Sequence, residues 1–336
     1  MLVKRGPIEG GPVKRMRWRR AGALALAGAA VLALLAGCGS KSSGASGKVT
    51  VYAALTDTNG KALAAAFEKA NSKYTVNIVT EGTGALVTRI ETEKKSGGVK
   101  ANAVLLADPT VMPELASDGV IGDYVPADAS KLPADLKGDG WFGAFQFYNV
   151  IIYHDGVTPP KDWSDLTKPE YKGKVEIGDP SYSGTTLAMA AEVPKLAGDS
   201  YFADLKANGV KIVQSTNTVG NDVASGAMSV GITLDSVCRP LISGGSPVKM
   251  VWPTSGSIPV PAPAAIVKGQ ENAGAKAFLD WLLTDAGQKE LTALGYAPAL
   301  GASDAVPSDA KIVTVPYSDL VSQRATILGA FTKVFG

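Results

Sequence analysis

Between Lys48 and Leu106, short β-rich runs alternate with helical ones, and this alternation constrains the fold more than any other feature of the chain. Lys48–Ala53 (KVTVYA) alternates and predicts a strand. Asn59–Asn71 places Leu63, Ala66, Phe67 and Ala70 on one helical face. Tyr74–Val79 (YTVNIV) is a second strand. Glu81-Gly82-Thr83-Gly84 then turns into a helix with Leu86, Val87 and Ile90 inside and Arg89, Glu93 and Lys94 outside. Ala103–Leu106 (AVLL) is wholly apolar, as a strand of a parallel sheet covered on both faces would be. Strand–helix–strand–helix–strand is an α/β pattern with right-handed crossovers.

A second block repeats the mixture. Val150–Tyr153, Lys174–Ile177, Lys211–Val213, Ser229–Leu234 and Val248–Trp252 read as strands. Trp163–Leu166 starts a short helical segment. Thr185–Leu196, Tyr201–Asn208 and Val219–Ala227 read as helices. Pro253–Pro263 is rich in Pro and Ser and reads as a crossing back to the first lobe. Ala273–Leu283 is an amphipathic helix, and Gly287–Leu294 continues as another until Gly295-Tyr296-Ala297-Pro298 stops it. A last helix is expected around Tyr317–Phe331.

The chain begins with a different grammar. Arg17, Arg19 and Arg20 precede a run of apolar and small residues, Ala21–Gly37, that ends in Leu35-Ala36-Gly37-Cys38. A cationic stub, a short apolar stretch and small residues at a cleavage point describe an export signal better than a membrane-spanning helix. Leu-Ala-Gly-Cys resembles the bacterial lipobox, which implies lipidation (palmitate) at Cys38 as the first mature residue. Gly39–Gly47 (GSKSSGASG) extends the expected tether, residues 38–47, over roughly 15–20 Å as a coil. The stretch before Met16 is unlike a signal head, so Met16 is the expected start.

Charge and rare residues exclude several functions. Residues 1–37 hold seven Lys/Arg and one acid, so the net +2 of the whole chain leaves −4 on the rest. A mildly acidic mature protein argues against nucleic acid as a partner. Beyond Cys38 only Cys238 remains, so no internal disulfide is available; Cys238 reads as a buried small apolar residue or a thiolate ligand. The single histidine, His154, excludes a His/Cys zinc cluster and offers a poor start for a catalytic triad. No cofactor or resident metal is expected, and no enzyme either, an exported enzyme on the same fold being the lesser alternative. The 299 residues from Cys38 onward suffice for two lobes with separate cores.

The order of elements resembles the bacterial extracellular solute-binding proteins of ABC importers. Within them it is most similar to the two-lobed type II group that includes ferric-iron, phosphonate and sugar-phosphate binders. The resemblance rests on Asp162-Trp163-Ser164-Asp165-Leu166 with Tyr171–Val175, on Asp179–Thr185 (DPSYSGT), on Val219–Thr233 and on Lys276–Leu291 followed by Gly295–Pro298. It implies a ligand cleft between two α/β lobes and delivery of a small solute to a membrane permease by a monomer. The expected organisation is a signal at 1–37, a first lobe over 48–146 and 253–297, and a second lobe over 147–252. A C-terminal helical segment, 298–336, would pack on the second lobe.

Two turns stand out as anion sites. Ser181–Thr186 (SYSGTT) lies between a strand and a helix, where unpaired N–H groups and the helix dipole favour negative charge. Ser181, Ser183 and Thr185 add hydroxyls, and Gly184 lets a ligand approach the backbone; the plain alternative is N-capping by Ser183. Thr83 and Gly84 repeat the logic in the first lobe, where a tight turn is the plain alternative. Thr56 follows the first strand, and Asn217 lies just ahead of the Val219–Ala227 helix. Asp108 and Asp235 end strands. Asp108 either faces the cleft and meets a cationic part of the ligand or only caps the next helix, Asp235 could do the same from the second lobe, and a zwitterion would suit both facing inward. Tyr148 either contacts the solute or packs in the hinge. Ferric-iron binders usually carry adjacent tyrosines where this chain reads Asp235-Ser236-Val237-Cys238, which demotes iron. A small organophosphate, phosphonate or inorganic anion is the expected solute; ferric iron with a synergistic anion, and thiamine or its phosphates, are the alternatives.

Overall fold

The computed structural model describes residues 47–301 and 304–336. Its first strands follow the expectation: β1 (Lys48–Ala53), β2 (Thr75–Thr80) and β3 (Ala103–Leu105) are parallel and lie in the order β2-β1-β3. Between them run α1 (Asp57–Ala70) and α2 (Thr83–Lys95). Leu63 and Phe67, four residues apart, are fully buried, as the helical spacing requires. Phe67 meets Phe278 and Trp281 edge-on, at 5.3 and 5.6 Å. A 3-10 turn at Pro109–Val111, α3 (Met112–Ser117) and the two-residue β4 (Lys137–Gly138) complete this stretch.

The molecule is strung on β5 (Trp141–His154), 14 residues long. All of β5 is buried except Gln146 and His154, which are half-buried. Only its end, Val150–Tyr153, is legible as a strand, because a strand covered on both faces carries no polar alternation. Its first part pairs antiparallel with β10 (Ile258–Ile266). Its second part pairs antiparallel with β8 (Val230–Leu234) and with β9 (Val248–Val251).

β10 corrects the reading of Pro253–Pro263 as a crossing alone, since the strand starts at Ile258. Pro259, Pro261 and Pro263 fall at every second position, so their missing N–H groups line one edge. That edge faces away from β5: the Pro259 carbonyl accepts from Tyr317 Oη at 2.6 Å and the Pro263 carbonyl from Leu106 N–H at 2.8 Å. The edge toward β5 keeps its donors.

The second lobe contains β6 (Val175–Gly178), α4 (Gly184–Ala197), α5 (Tyr201–Ala207), β7 (Lys211–Val213) and α6 (Thr216–Ala224). After β8 comes α7 (Asp235–Ser243), a helix the sequence reading omits and which holds Pro240. β8, β6 and β7 are parallel neighbours. The chain ends with α8 (Ala273–Leu282), α9 (Asp285–Ala293), β11 (Ala297–Pro298) and α10 (Tyr317–Phe335).

Strand directions create the cleft. β3 and β5 are both antiparallel to β10, so they run the same way, whereas β8 runs against β5. The carboxyl ends of β1–β3 therefore point toward those of β6–β8 across the middle of β5. α10 reaches both halves. It packs on α4 and α5 of the second lobe and on Pro109–Val111 of the first. Phe331 and Phe335 meet Phe202 edge-on, and Lys206 Nζ donates to the Val334 carbonyl.

Candidate ligand cleft

Two helix starts face each other across the carboxyl ends of the strands. α1, α6, α8 and α9 are each closed by their own N-cap side chain: Thr56, Ser215, Asn272 and Thr284. α2 and α4 are not. The N-cap of α2 is Gly82, which has no side chain to offer. The N-cap of α4 is Ser183, whose hydroxyl lies 3.0 Å from Thr185 Oγ1 and makes no capping bond. The first N–H groups of a helix have no partner within it, so both starts present unsatisfied donors and the positive end of the helix dipole.

These starts line one cavity of about 170 Å³. The first lobe supplies Thr83, Gly84, Val87, Asp108 and Val111; the second supplies Pro180, Ser181, Tyr182 and Gly184; α10 supplies Arg324. The lobes touch here through glycines. A Cβ on Gly84 would lie 3.4 Å from the Tyr182 carbonyl oxygen, an ordinary contact. A Cβ on Gly184 would lie 2.0 Å from Asp108 Cβ, which no side chain permits. Thr83 Oγ1 accepts from Ala107 N–H at 3.1 Å and keeps its own proton to donate.

Asp108 is 1% exposed. Its Oδ1 accepts from Thr110 N–H at 2.9 Å and from Thr110 Oγ1 at 2.6 Å, while Oδ2 is buried without a hydrogen bond. Burial pushes this carboxyl up from its usual range, and Thr110 and Arg324 oppose the push. Arg324 Nη2 stands 3.8 Å from Oδ2, and Arg324 Nε is also buried without a partner. Arg324 is a cavity-lining residue that sequence reasoning missed. The one signal was scarcity: beyond Cys38 the chain has only Arg89, Arg239 and Arg324, and each faces a carboxylate.

The remaining candidates go elsewhere. Thr56 Oγ1 accepts from Asn59 N–H at 3.2 Å and caps α1. Ser183 is half-buried, Thr185 is buried behind it, and Asn217 is exposed at the second position of α6. Tyr148 and Asp235 meet each other at the hinge, apart from the cavity. Asp235 Oδ1 accepts from Tyr148 N–H at 2.9 Å, and Oδ2 lies 3.4 Å from Arg239 Nη2. Burial holds the Asp235 carboxyl up to about 6, against the pull of Tyr148 N–H and Arg239. The Tyr148 ring packs 5.4 Å from that of Trp252. Asn149 Nδ2 donates to the Thr185 carbonyl at 3.2 Å, tying β5 to α4. Cys238 is fully buried beside Val150 and Val219, and burial pushes its thiol well up. The export signal, Met16 and Cys38 lie outside the described residues. Among the described residues, no helix is long and apolar enough to cross a membrane, and no three His, Cys, Asp or Glu form a group fit for a metal ion.

Two α/β lobes on shared strands, with a small cavity between opposed strand ends, define a type II binding protein. The chain belongs to the bacterial extracellular solute-binding proteins, the solute-capturing components of ABC transporters; the family's pattern matches residues 48–297. A relative in Sinorhizobium fredii, named as a probable ABC transporter periplasmic-binding protein (y4fP), is 25% identical over 249 residues, 69% of this chain and 68% of that one. AfuA from Actinobacillus pleuropneumoniae, solved with exogenous fructose-6-phosphate bound, shares the fold with a TM-score of 0.76 at 21% identity, covering 85% of this chain and 98% of that one. Iron-bound HitA from Pseudomonas aeruginosa has a TM-score of 0.70 at 22% identity, covering 84% and 99%.

Proposed function

We propose that the chain captures a small anionic solute, an organophosphate, phosphonate or inorganic anion, between the starts of α2 and α4. Closure of the lobes holds the solute, and the loaded form passes it unchanged to a membrane permease. The observation that carries this reading is the pair of uncapped helix starts on one cavity, since such groups bind phosphate or carboxylate without a dedicated cation. The fructose-6-phosphate bound to AfuA adds support from a protein of the same fold. Cys38 would carry the lipid that keeps the monomer beside its permease, where tethering raises effective concentration. Mass spectrometry of the mature N-terminus checks this; an unmodified Cys38 removes the anchor.

Isothermal titration with inorganic phosphate, phosphonates and sugar phosphates tests the solute class. Binding of at least one is expected; silence across all of them, with tight binding of a neutral or cationic solute, rejects it. Ferric iron with a synergistic anion and thiamine or its phosphates are the alternatives. HitA holds iron in this fold, but here Asp235, in the segment where ferric-iron binders usually carry tyrosines, is already committed to Tyr148 N–H and Arg239. A visible charge-transfer band on adding ferric citrate would select iron.

A further inference from the structure

Asp108 and Arg324 form an incomplete pair. Their closest atoms are 3.8 Å apart, beyond hydrogen-bond distance, and each keeps a buried polar atom without a partner in or beside the same cavity. Well-made Arg–carboxylate pairs close to two short bonds. A buried carboxylate whose cationic partner stops short is poorly compensated unless a third group joins it. Arg324 lies on α10, beyond the 48–297 segment that the family's pattern matches.

Building on the anion reading above, we propose that Asp108 and Arg324 together read the polarity of the solute, which must bring an anionic group for Arg324 and a proton donor, hydroxyl or ammonium, for Asp108 Oδ2. A bare anion would gain the helix starts and Arg324 but lie against a buried carboxylate. A neutral solute would leave Arg324 and both helix starts unpaired. A simple cation would satisfy Asp108 and be repelled by Arg324 and by the two helix starts. Only a small solute with both characters, its donor near its anionic group, answers every unpartnered atom. Asp235 takes no part, because both its oxygens are engaged at the hinge. Arg324 is therefore a specificity-determining residue supplied by α10.

The test is calorimetric titration of the purified protein with two matched pairs of probes. One is 2-aminoethylphosphonate against ethylphosphonate; the other is glycerol 3-phosphate against propyl phosphate. The donor-bearing member of at least one pair is expected to bind tenfold or more tightly than its partner. Asp108→Asn should reduce that preference to within about threefold, since the amide no longer demands a donor. Arg324→Gln should weaken both members of the pair, and Arg324→Lys should recover part of the loss. The Arg324 side chain is 35% exposed, and circular dichroism with a melting curve confirms that each variant folds. Equal affinity within both pairs, a preference that survives Asp108→Asn, or no binding of either donor-bearing probe overturns the inference. Binding of inorganic phosphate or sulfate alone would do so while leaving the anion reading intact. Binding of thiamine or ferric citrate, with none of the phosphate or phosphonate probes bound, would remove both.

Discussion

Gly184 and Gly84 look alike in the sequence, the first residue of α4 and the second of α2, yet their surroundings differ sharply. Gly184→Ala would drive a methyl group into Asp108 Cβ, so the lobes could no longer meet as they do, whereas Gly84→Ala meets only an ordinary contact. We expect Gly184→Ala to lower affinity for a bound phosphonate or phosphate probe by more than tenfold and Gly84→Ala by only a few fold. Small-angle scattering with saturating probe should show the first variant more open than the wild type; equal scattering profiles would contradict this. Asp235 makes a pH prediction. Its carboxyl is held up to about 6 by burial, above its unfolded value, so the folded state binds this proton more tightly. Stability therefore falls as pH rises from about 4 to 6, by about 3 kcal/mol from this group. The stability of wild type relative to Asp235→Asn, measured by urea unfolding at each pH, should drop across that window. A flat difference would show that Asp235 ionises as in the open chain.

At the scale of elements, α1, α6, α8 and α9 are capped by a side chain, whereas α2 and α4, whose starts line the cavity, are not, and neither are α3, α5, α7 and α10. Ser215 Oγ accepts from Thr218 N–H at 3.1 Å, so Ser215→Ala should cost about 1 kcal/mol. Ser183 makes no capping bond, and Ser183→Ala should stay within about 0.5 kcal/mol in unfolding measurements. Comparable losses at both positions would mean that α4 is capped after all, leaving fewer donors for a solute. β10 gives a parity test. Pro259 sits on the edge away from β5 and Val260 on the edge toward it, so Pro259→Ala should be near neutral. Val260→Pro should cost about 3 kcal/mol or more, because it removes a donor from the ladder between lobes. A Pro-rich stretch reads as a loop when residues are counted and as a strand with one donor-free side when their spacing is considered. The spacing was visible in Ile258–Ile266; which edge would be free was not, because that depends on where β5 and α10 lie.

At the scale of the whole molecule, α10 bridges the lobes and adds Arg324 to the cavity. A solute that binds only the folded state should raise its stability by about 2.7 kcal/mol at one hundred times its Kd, and Arg324→Gln should forfeit most of that gain at the same concentration. Thermal unfolding with and without the probe measures it; an undiminished gain would place Arg324 outside the site. The alternation of strands and helices, the helical faces of α1, α2 and α8, and the two turns around Thr83 and Ser183 were all legible in the sequence. Each is a local matter of side-chain period, glycine placement or backbone donors left over at a helix start. The full length of β5 was not legible, because burial on both faces erases the alternation that betrays a strand. Nor was the choice between a capping and a cleft role for Asp108 and Asp235, two similar acids at strand ends. Asp235 is engaged by Tyr148 N–H and Arg239, whereas Asp108 caps Pro109–Val111 through Oδ1 and keeps Oδ2 beside Gly184 and Arg324. Sequence by itself determines which groups a chain leaves unsatisfied. Only the tertiary structure decides which of those groups share a cavity, because charge and hydrogen bonding act over a few ångströms between segments far apart along the chain.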